Sequence, residues 1–250
     1  MRLVASSRDR RKAGRCVLEG EHLVSVYLAR VGVPELLVVV AERMDDPVLQ
    51  AVAARMPNAD VLIVPATIFA QLAALPSAIG VLAVVATPRD LAPAPRRFHV
   101  LLEDVQDPGN VGTILRTAAA AGVEQVLLSK HCAFAWAPKV LRAGQGAHFL
   151  TAIVEAVELA SWARQFRANG GQVAAAVAYG GQNIFASTLR APLAIAIGNE
   201  GCGLTQSLLN AVDARLTIPM PGGMESLNVG AAAAITVFEA VRQGIVAGAA

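Results

Sequence analysis

The second half of this chain carries a series of short, mostly apolar runs: Phe98–Leu102, Gln125–Leu128, Val173–Ala178, Leu193–Ile197 and Ala214–Ile218. Between them lie segments with helical spacing, Gly112–Ala121, Trp162–Ala168 and the Ala-rich Leu227–Arg242. A strand buried on one face alternates apolar and polar residues, whereas one buried on both faces reads as a continuous apolar run. The pattern therefore predicts an α/β fold, a parallel sheet with helices on both faces. The first half gives a smaller alternating unit, with strands at Cys16–Glu19, Leu36–Ala41, Val61–Val64 and Gly80–Ala86. Its helices are expected at Gly20–Leu28, Pro47–Arg55 and Thr67–Leu75. Between the halves, Pro88, Pro93 and Pro95 interrupt a stretch without hydrophobic periodicity, which reads as a linker. The expected organisation is a domain at 1–90, a linker at 91–97 and a larger domain at 98–250.

A chain of 250 residues, 55% apolar and 16% charged, can bury a substantial core and excludes the composition of disordered proteins. Its mean hydropathy of +0.51 raises the question of a membrane span. The longer apolar runs, Leu36–Ala41 and Val229–Phe238, fall well short of the roughly 18 residues a span requires, so none is expected. Met1–Arg15 is basic and lacks an apolar segment, so it is not a secretory signal, though its composition also fits an organellar transit peptide. Cys16, Cys132 and Cys202 are scattered, which supports neither a disulfide framework nor a zinc knuckle and fits a reducing cytoplasm. His22 and His131 have no partners at ligand spacing, so no metal is expected. The net charge of +2 says little by itself. Its distribution says more, because Arg2, Arg8, Arg10, Arg11, Lys12 and Arg15 face a single acid, Asp9, within the first fifteen residues. Such a cluster is either a phosphate-binding face or a solvated arm.

In open parallel sheets ligands bind beyond the carboxyl ends of the strands, so the loops there hold the candidate chemistry. After Phe98–Leu102 comes Glu103-Asp104-Val105-Gln106-Asp107-Pro108-Gly109-Asn110, where Asn110 is a natural helix cap. Arg116 follows on a helix of apolar and small residues, where an isolated guanidinium calls for an anionic partner. After Leu193–Ile197 comes Gly198-Asn199-Glu200-Gly201-Cys202-Gly203, glycine-rich enough for close backbone approach and carrying a carboxylate. It lacks the G-x-G-x-x-G spacing of dinucleotide folds, and the chain has no Walker-type phosphate loop. After Ala214–Ile218 comes Pro219-Met220-Pro221-Gly222-Gly223-Met224-Glu225-Ser226-Leu227-Asn228, with Ser226 and Asn228 where a helix cap belongs. Met220 suits an adenine or thioether surface, though methionine is more often packing.

Taken together, Asn110 with Arg116, Gly198-Asn199-Glu200-Gly201, and Ser226-Leu227-Asn228 resemble the three motifs of the SpoU/TrmH family of RNA ribose 2′-O-methyltransferases, within the SPOUT superfamily. The resemblance spans residues 98–243 or so. Arg10-Arg11-Lys12 followed by Leu18-Glu19-Gly20-Glu21-His22-Leu23-Val24 resembles the start of that family's N-terminal RNA-substrate-binding domain. Arg142-Ala143-Gly144-Gln145-Gly146 resembles a further family segment, which usually has serine where Gly144 or Gln145 stands.

The resemblance implies a SPOUT domain with a C-terminal trefoil knot, preceded by a small α/β substrate-binding domain, and a homodimer sharing its active sites. It implies S-adenosylmethionine held by the backbone of Gly198, Ile218 and Leu227 near Met220. It assigns Arg116 to the ribose 2′-hydroxyl and its phosphate, with Asn110, Glu200, Ser226 and Asn228 as orienting residues. RNA would be bound by Arg8, Arg10, Arg11, Lys12, Arg15 and Arg142, with 23S-type ribosomal RNA as the substrate. An RNA-binding protein of the same fold without catalysis, a tRNA 2′-O-methyltransferase and a nucleotide-dependent oxidoreductase are the alternatives; the failed glycine fingerprint disfavours the last.

Overall fold

The computed structural model describes residues 6–56, 60–73, 80–88, 92–93 and 96–245. Met1–Ala5, much of the expected linker and the end of the helix expected at Thr67–Leu75 lie outside them. The chain divides into two compact units, one of residues 1–89 and 136–150, the other of 90–135 and 151–250. The break at 89/90 falls beside the proline-rich stretch, and Trp136–Leu150 groups with the first unit although it follows the linker in sequence.

In the first unit the basic start is a helix, α1 (Ser7–Ala13), where the sequence suggested only an arm or charged face. Ser6 caps it by accepting the Asp9 N–H at 3.1 Å, and Gly14 closes it in the left-handed region at φ 60°, where glycine carries no Cβ penalty. There follow β1 (Arg15–Glu19), α2 (Glu21–Arg30), β2 (Leu36–Val40), α3 (Pro47–Ala54), β3 (Asp60–Val64), α4 (Ala66–Leu72) and β4 (Val81–Ala86). The strands form one mixed sheet in the order β1-β4-β2-β3, antiparallel except for the parallel β2/β3 pair. Gly20, of the Leu18-Glu19-Gly20 motif, turns the chain from β1 into α2 at φ 99° and donates its N–H to Val81 O at 3.0 Å. Its core joins Val17, Val38, Val40, Phe69 and Leu82.

The second unit contains β5 (Phe98–Leu102), α5 (Pro108–Ala120) and β6 (Gln125–Leu128). It continues after α6 (Pro138–Gly144), which belongs to the first unit, with β7 (Ala152–Val154), α7 (Leu159–Ala168), β8 (Gln172–Ala176) and β9 (Gln182–Asn183). β10 (Leu193–Ile197), α8 (Gln206–Leu209), β11 (Ala214–Thr217) and α9 (Val229–Arg242) complete it. The sheet is parallel at every described pairing, in the order β7-β6-β5-β10-β8-β11-β9. β5, β6 and β10 are buried along their whole length, as unbroken apolar runs require.

Leu101, Leu127, Val173 and Ala196 from the sheet pack with Leu159, Ala163 and Phe166 of α7. Truncating a buried leucine such as Leu101 to alanine would cost about 2–5 kcal/mol. Elsewhere in this unit α9 lies close on α5, where a Cβ at Gly230 would come within 3.2 Å of Thr113 Cγ2. Two short strands, β7 and β9, had no sequence signal, being three and two residues long. Among the described residues no helix is long and apolar enough to cross a membrane.

Candidate active site

Beyond the carboxyl ends of β8, β10 and β11 the second unit opens a pocket of about 810 Å³, within the size range of small-molecule and cofactor sites. Its lining runs from Ala176–Tyr179 through Ile197–Leu204 and then Leu216, Ile218 and Met220 to Glu225–Val229. Two of the three glycine- and proline-rich loops, those after β10 and β11, thus line one cavity, because parallel strands deliver their following loops to the same edge.

The first loop departs from the sequence reading in a useful way. Asp107, rather than Asn110, caps α5: its carboxylate accepts the Asn110 N–H at 2.7 Å, and Pro108 occupies the first turn, where no N–H is needed. The Asn110 side chain is left to make other bonds. Its Nδ2 donates to Glu200 Oε1 at 2.9 Å, and its Oδ1 accepts from Asn228 Nδ2 at 3.0 Å. Asn228 is the cap of α9, its Oδ1 accepting from Gly230 N at 2.9 Å and Ala231 N at 3.4 Å. One residue from each motif loop is therefore joined in a chain of side-chain hydrogen bonds.

The second loop is folded on itself. Asn199 and Gly203 exchange backbone hydrogen bonds at 3.1 and 3.0 Å, and Asn199 Oδ1 accepts the N–H groups of Gly201 and Cys202. A Cβ at Gly198 would lie 2.4 Å from the Gly203 carbonyl carbon. Glycine is required there by the loop's own backbone crossing, whatever approaches from the pocket side. In the third loop Gly223 turns at φ 77° and donates to Met220 O, and the segment through Asn228 is exposed. Ser226 lines the pocket without serving as the cap.

The cavity's floor combines apolar side chains such as Ile197, Leu216 and Ile218 with backbone of the glycine-rich loop, a surface suited to an adenosine ring and a thioether chain. Among the described residues no group of three or more His, Cys, Asp or Glu could hold a metal ion.

The family model of the SpoU rRNA Methylase family matches residues 97–238, which include all three loops and the sheet beneath them. The chain belongs to the SpoU methylase family. A 23S rRNA (guanosine(2553)-2′-O)-methyltransferase of Bacillus subtilis, RlmP, is 33% identical over 93% of this chain and 91% of its own. An uncharacterized tRNA/rRNA methyltransferase of Synechocystis is likewise 33% identical, over 97% of this chain and 89% of its own. The SpoU methyltransferase AviRb of Streptomyces viridochromogenes, solved in complex with its cofactor AdoMet, superposes with a TM-score of 0.86 at 26% identity, covering 97% of this chain and 95% of that one.

Of the SpoU motif residues expected from sequence, Gly198, Ile218, Met220 and Leu227 line the pocket together with Glu200, Ser226 and Asn228. Asn110 joins them through its bonds to Glu200 and Asn228. Arg116 stands apart. It lies six residues beyond Asn110 on α5, about 9 Å along the helix axis, and its side chain is exposed on the face that also carries Gly109, Thr113 and Ala120. Its exposure overturns the expectation that burial makes this guanidinium seek an anion.

Within the first unit Arg8, Arg11 and Lys12 are exposed at helical spacings of three and four, so α1 presents them on one face. Arg10 is 4% exposed on the opposite side, and burial lowers its guanidinium from the ordinary value. That corrects its placement among surface cations available to a phosphate. Arg15 is paired with Glu35 at 2.5 Å. Arg142 is exposed on α6.

Sequence reasoning passed over Asp107, Asn199, Glu103 and Thr205. Asp107 was recoverable, since Asp followed by Pro at a helix start is a cap-and-first-turn signature. Thr205 and Asn199 also make local bonds, a helix cap and a turn, but their contacts to Glu103 and Asp104 lie about a hundred residues apart in sequence and leave no local signal.

Proposed function

We propose that this protein transfers the methyl group of S-adenosylmethionine to a ribose 2′-hydroxyl of ribosomal RNA, of the 23S type, and works as a homodimer. The observation that carries this reading is the hydrogen-bonded chain Asn228–Asn110–Glu200 at the mouth of the pocket, which joins the three loops carrying the family motifs. When bound, the cofactor supplies an electrophilic sulfonium methyl. The residues of this chain would do the rest: Gly198, Ile218 and Leu227, which line the pocket with Met220, would hold the cofactor. Glu200 and Asn228 are held rigid by Asn110, so the groups facing the ribose need little reorganisation. A guanidinium presents a planar fork of donors to a phosphate, so Arg116 acts by clamping the target phosphate and stabilising the developing negative charge on the 2′-oxygen.

The homodimer gives Arg116 and the pocket a common partner. α9, which meets α5 at Gly230 and Thr113, exposes Ala231 and Phe238, the latter 47% exposed. Covering this face with a second copy would bury the apolar side chain and bring Arg116 toward a neighbouring site. A trefoil knot in the C-terminal stretch rests on the chain's membership of the SpoU methylase family. The cationic face of α1 supplies affinity for the RNA backbone, and a cytoplasmic location fits the free cysteines.

The test is transfer of labelled methyl from S-adenosylmethionine to ribosomal and transfer RNA from a strain lacking the gene, with mapping of the modified nucleotide. Label at one ribosomal ribose is the expected outcome. Label confined to transfer RNA would reassign the substrate, and absence of both label and cofactor binding would leave an RNA-binding protein.

A further inference from the structure

The loop that forms the pocket wall is held from outside by two adjacent residues that belong to none of the three motifs. Glu103 follows directly on β5, its N–H bonded to Ile197 O at 2.9 Å, and the residue is 8% exposed. Its carboxylate receives two bonds from one residue on the far side of the loop, from Thr205 N at 2.7 Å and from Thr205 Oγ1 at 2.8 Å. Thr205 in turn caps α8, accepting from Leu208 N at 3.3 Å. The next residue, Asp104, presents its carbonyl oxygen to Asn199 Nδ2 at 2.8 Å. Asp104 can do so because its backbone is turned into the left-handed region at φ 54°. Ser129 at the end of β6 holds that turn, its hydroxyl accepting the Asp104 N–H at 2.9 Å and donating to the Asp104 carboxylate at 2.5 Å.

We propose that Glu103 and Asp104 are positioning residues for methyl transfer: they brace the 199–205 loop at both ends, and so set the cofactor pocket and the place of Glu200 within it. A loop with three glycines in six residues has large conformational freedom of its own, which is lost each time it must be ordered around a ligand. A brace made of one buried carboxylate and one fixed carbonyl orders it beforehand, so that binding does not have to. The strand ends provide the rigid support. β5 lies directly beside β10, which carries the loop, so both ends of the brace move with the same sheet. This inference rests on the reading of the pocket as the cofactor site.

The experiment compares Glu103→Ala, Glu103→Gln and Thr205→Val with the full-length wild type. The measurements are hydrogen exchange at the Gly201, Cys202 and Thr205 amides without cofactor, KM for S-adenosylmethionine, kcat, and the thermal midpoint. Glu103→Ala is expected to speed exchange at these amides and to raise KM for the cofactor about tenfold, as loss of a buried charged acceptor implies. Glu103→Gln keeps an acceptor of the same shape and restores most of the difference. Should Glu103→Ala fail to fold, Thr205→Val carries the same prediction at smaller size: it removes one of the two bonds to Glu103 and also the α8 cap bond from Leu208 N, whose loss the thermal midpoint reports. Unchanged exchange in the folded variants would overturn the brace, and faster exchange with an unchanged KM would overturn its part in cofactor binding. A wild type that does not bind S-adenosylmethionine would overturn the cofactor reading and this proposal with it, a failure visible before any variant is made.

Discussion

Asn228 orients Asn110. Because Asn228 Oδ1 is committed to the N–H groups of Gly230 and Ala231 at the start of α9, its Nδ2 must be the group turned toward Asn110. That makes Asn110 Oδ1 the acceptor and leaves its Nδ2 facing the Glu200 carboxylate, which can only accept. The direction of every bond in the chain follows from one helix cap.

This arrangement separates capping from catalysis. Asn228→Asp retains an acceptor for the α9 N–H groups, and a negative charge suits a helix N-terminus, so the thermal midpoint should stay within a degree or two of wild type. The same change removes the donor to Asn110 and places a carboxylate against its carbonyl oxygen. Methyl transfer should fall by about tenfold or more. Asn228→Ala should lose both, with about 1 kcal/mol of stability gone by chemical denaturation.

Asn110→Asp sets a carboxylate against Glu200 in place of an amide donor. Like charges at this distance repel, so kcat/KM should drop by about a hundredfold and recover partly as pH is lowered toward carboxylate titration. A pH-independent loss would mean that repulsion is not the cause.

Arg116→Ala should abolish methyl transfer while sparing both cofactor affinity and the thermal midpoint, since the side chain is exposed and does not line the pocket. Calorimetric titration with S-adenosylmethionine and a single-turnover assay separate the two effects. Normal turnover would remove Arg116 from the mechanism.

His99 lies fully buried in β5 against Trp162 and Phe166, with ring centroids 4.9 and 5.1 Å away, and burial pushes its imidazole down to about 4. The unfolded chain binds this proton near pH 6.5, so the unfolded state gains protons first as pH falls. The stability of the native state should be undiminished by this group above pH 7 and decline between about 6.5 and 4, by up to about 3 kcal/mol. Denaturant titrations across that window should show a shallower decline for His99→Phe than for wild type.

Replacing Arg8, Arg11 and Lys12 together with alanine should weaken RNA binding and lower the slope of log affinity against log salt by about two to three, roughly one for each phosphate no longer neutralised. Arg10→Ala should instead reduce stability, because its side chain is buried. An unchanged salt slope in the triple variant would make α1 a solvated helix.

The sequence alone determined much of the larger unit. β5, β6 and β10 fall where their mostly apolar runs begin and end, because a strand buried on both faces is apolar at nearly every position; His99 in β5 and Gln125 at the start of β6 are the buried polar residues. The three motif loops were legible for a related reason, since glycine, proline and asparagine mark turns by local chemistry. Tertiary structure decided what those loops do to one another. Whether Asp107 or Asn110 caps α5 is a matter of one turn of backbone, and only the fold shows that Asp107 takes the cap and frees Asn110 for Glu200 and Asn228. The burial of Arg10 and the exposure of Arg116 reverse what composition suggested, because a side chain's surroundings depend on elements that arrive from elsewhere in the chain. The bonds from Glu103 to Thr205 and from Asp104 to Asn199 span about a hundred residues, and they exist because a parallel sheet places β5 beside β10. Local propensity specifies where an element starts and stops; the pairing of strands decides which residues meet.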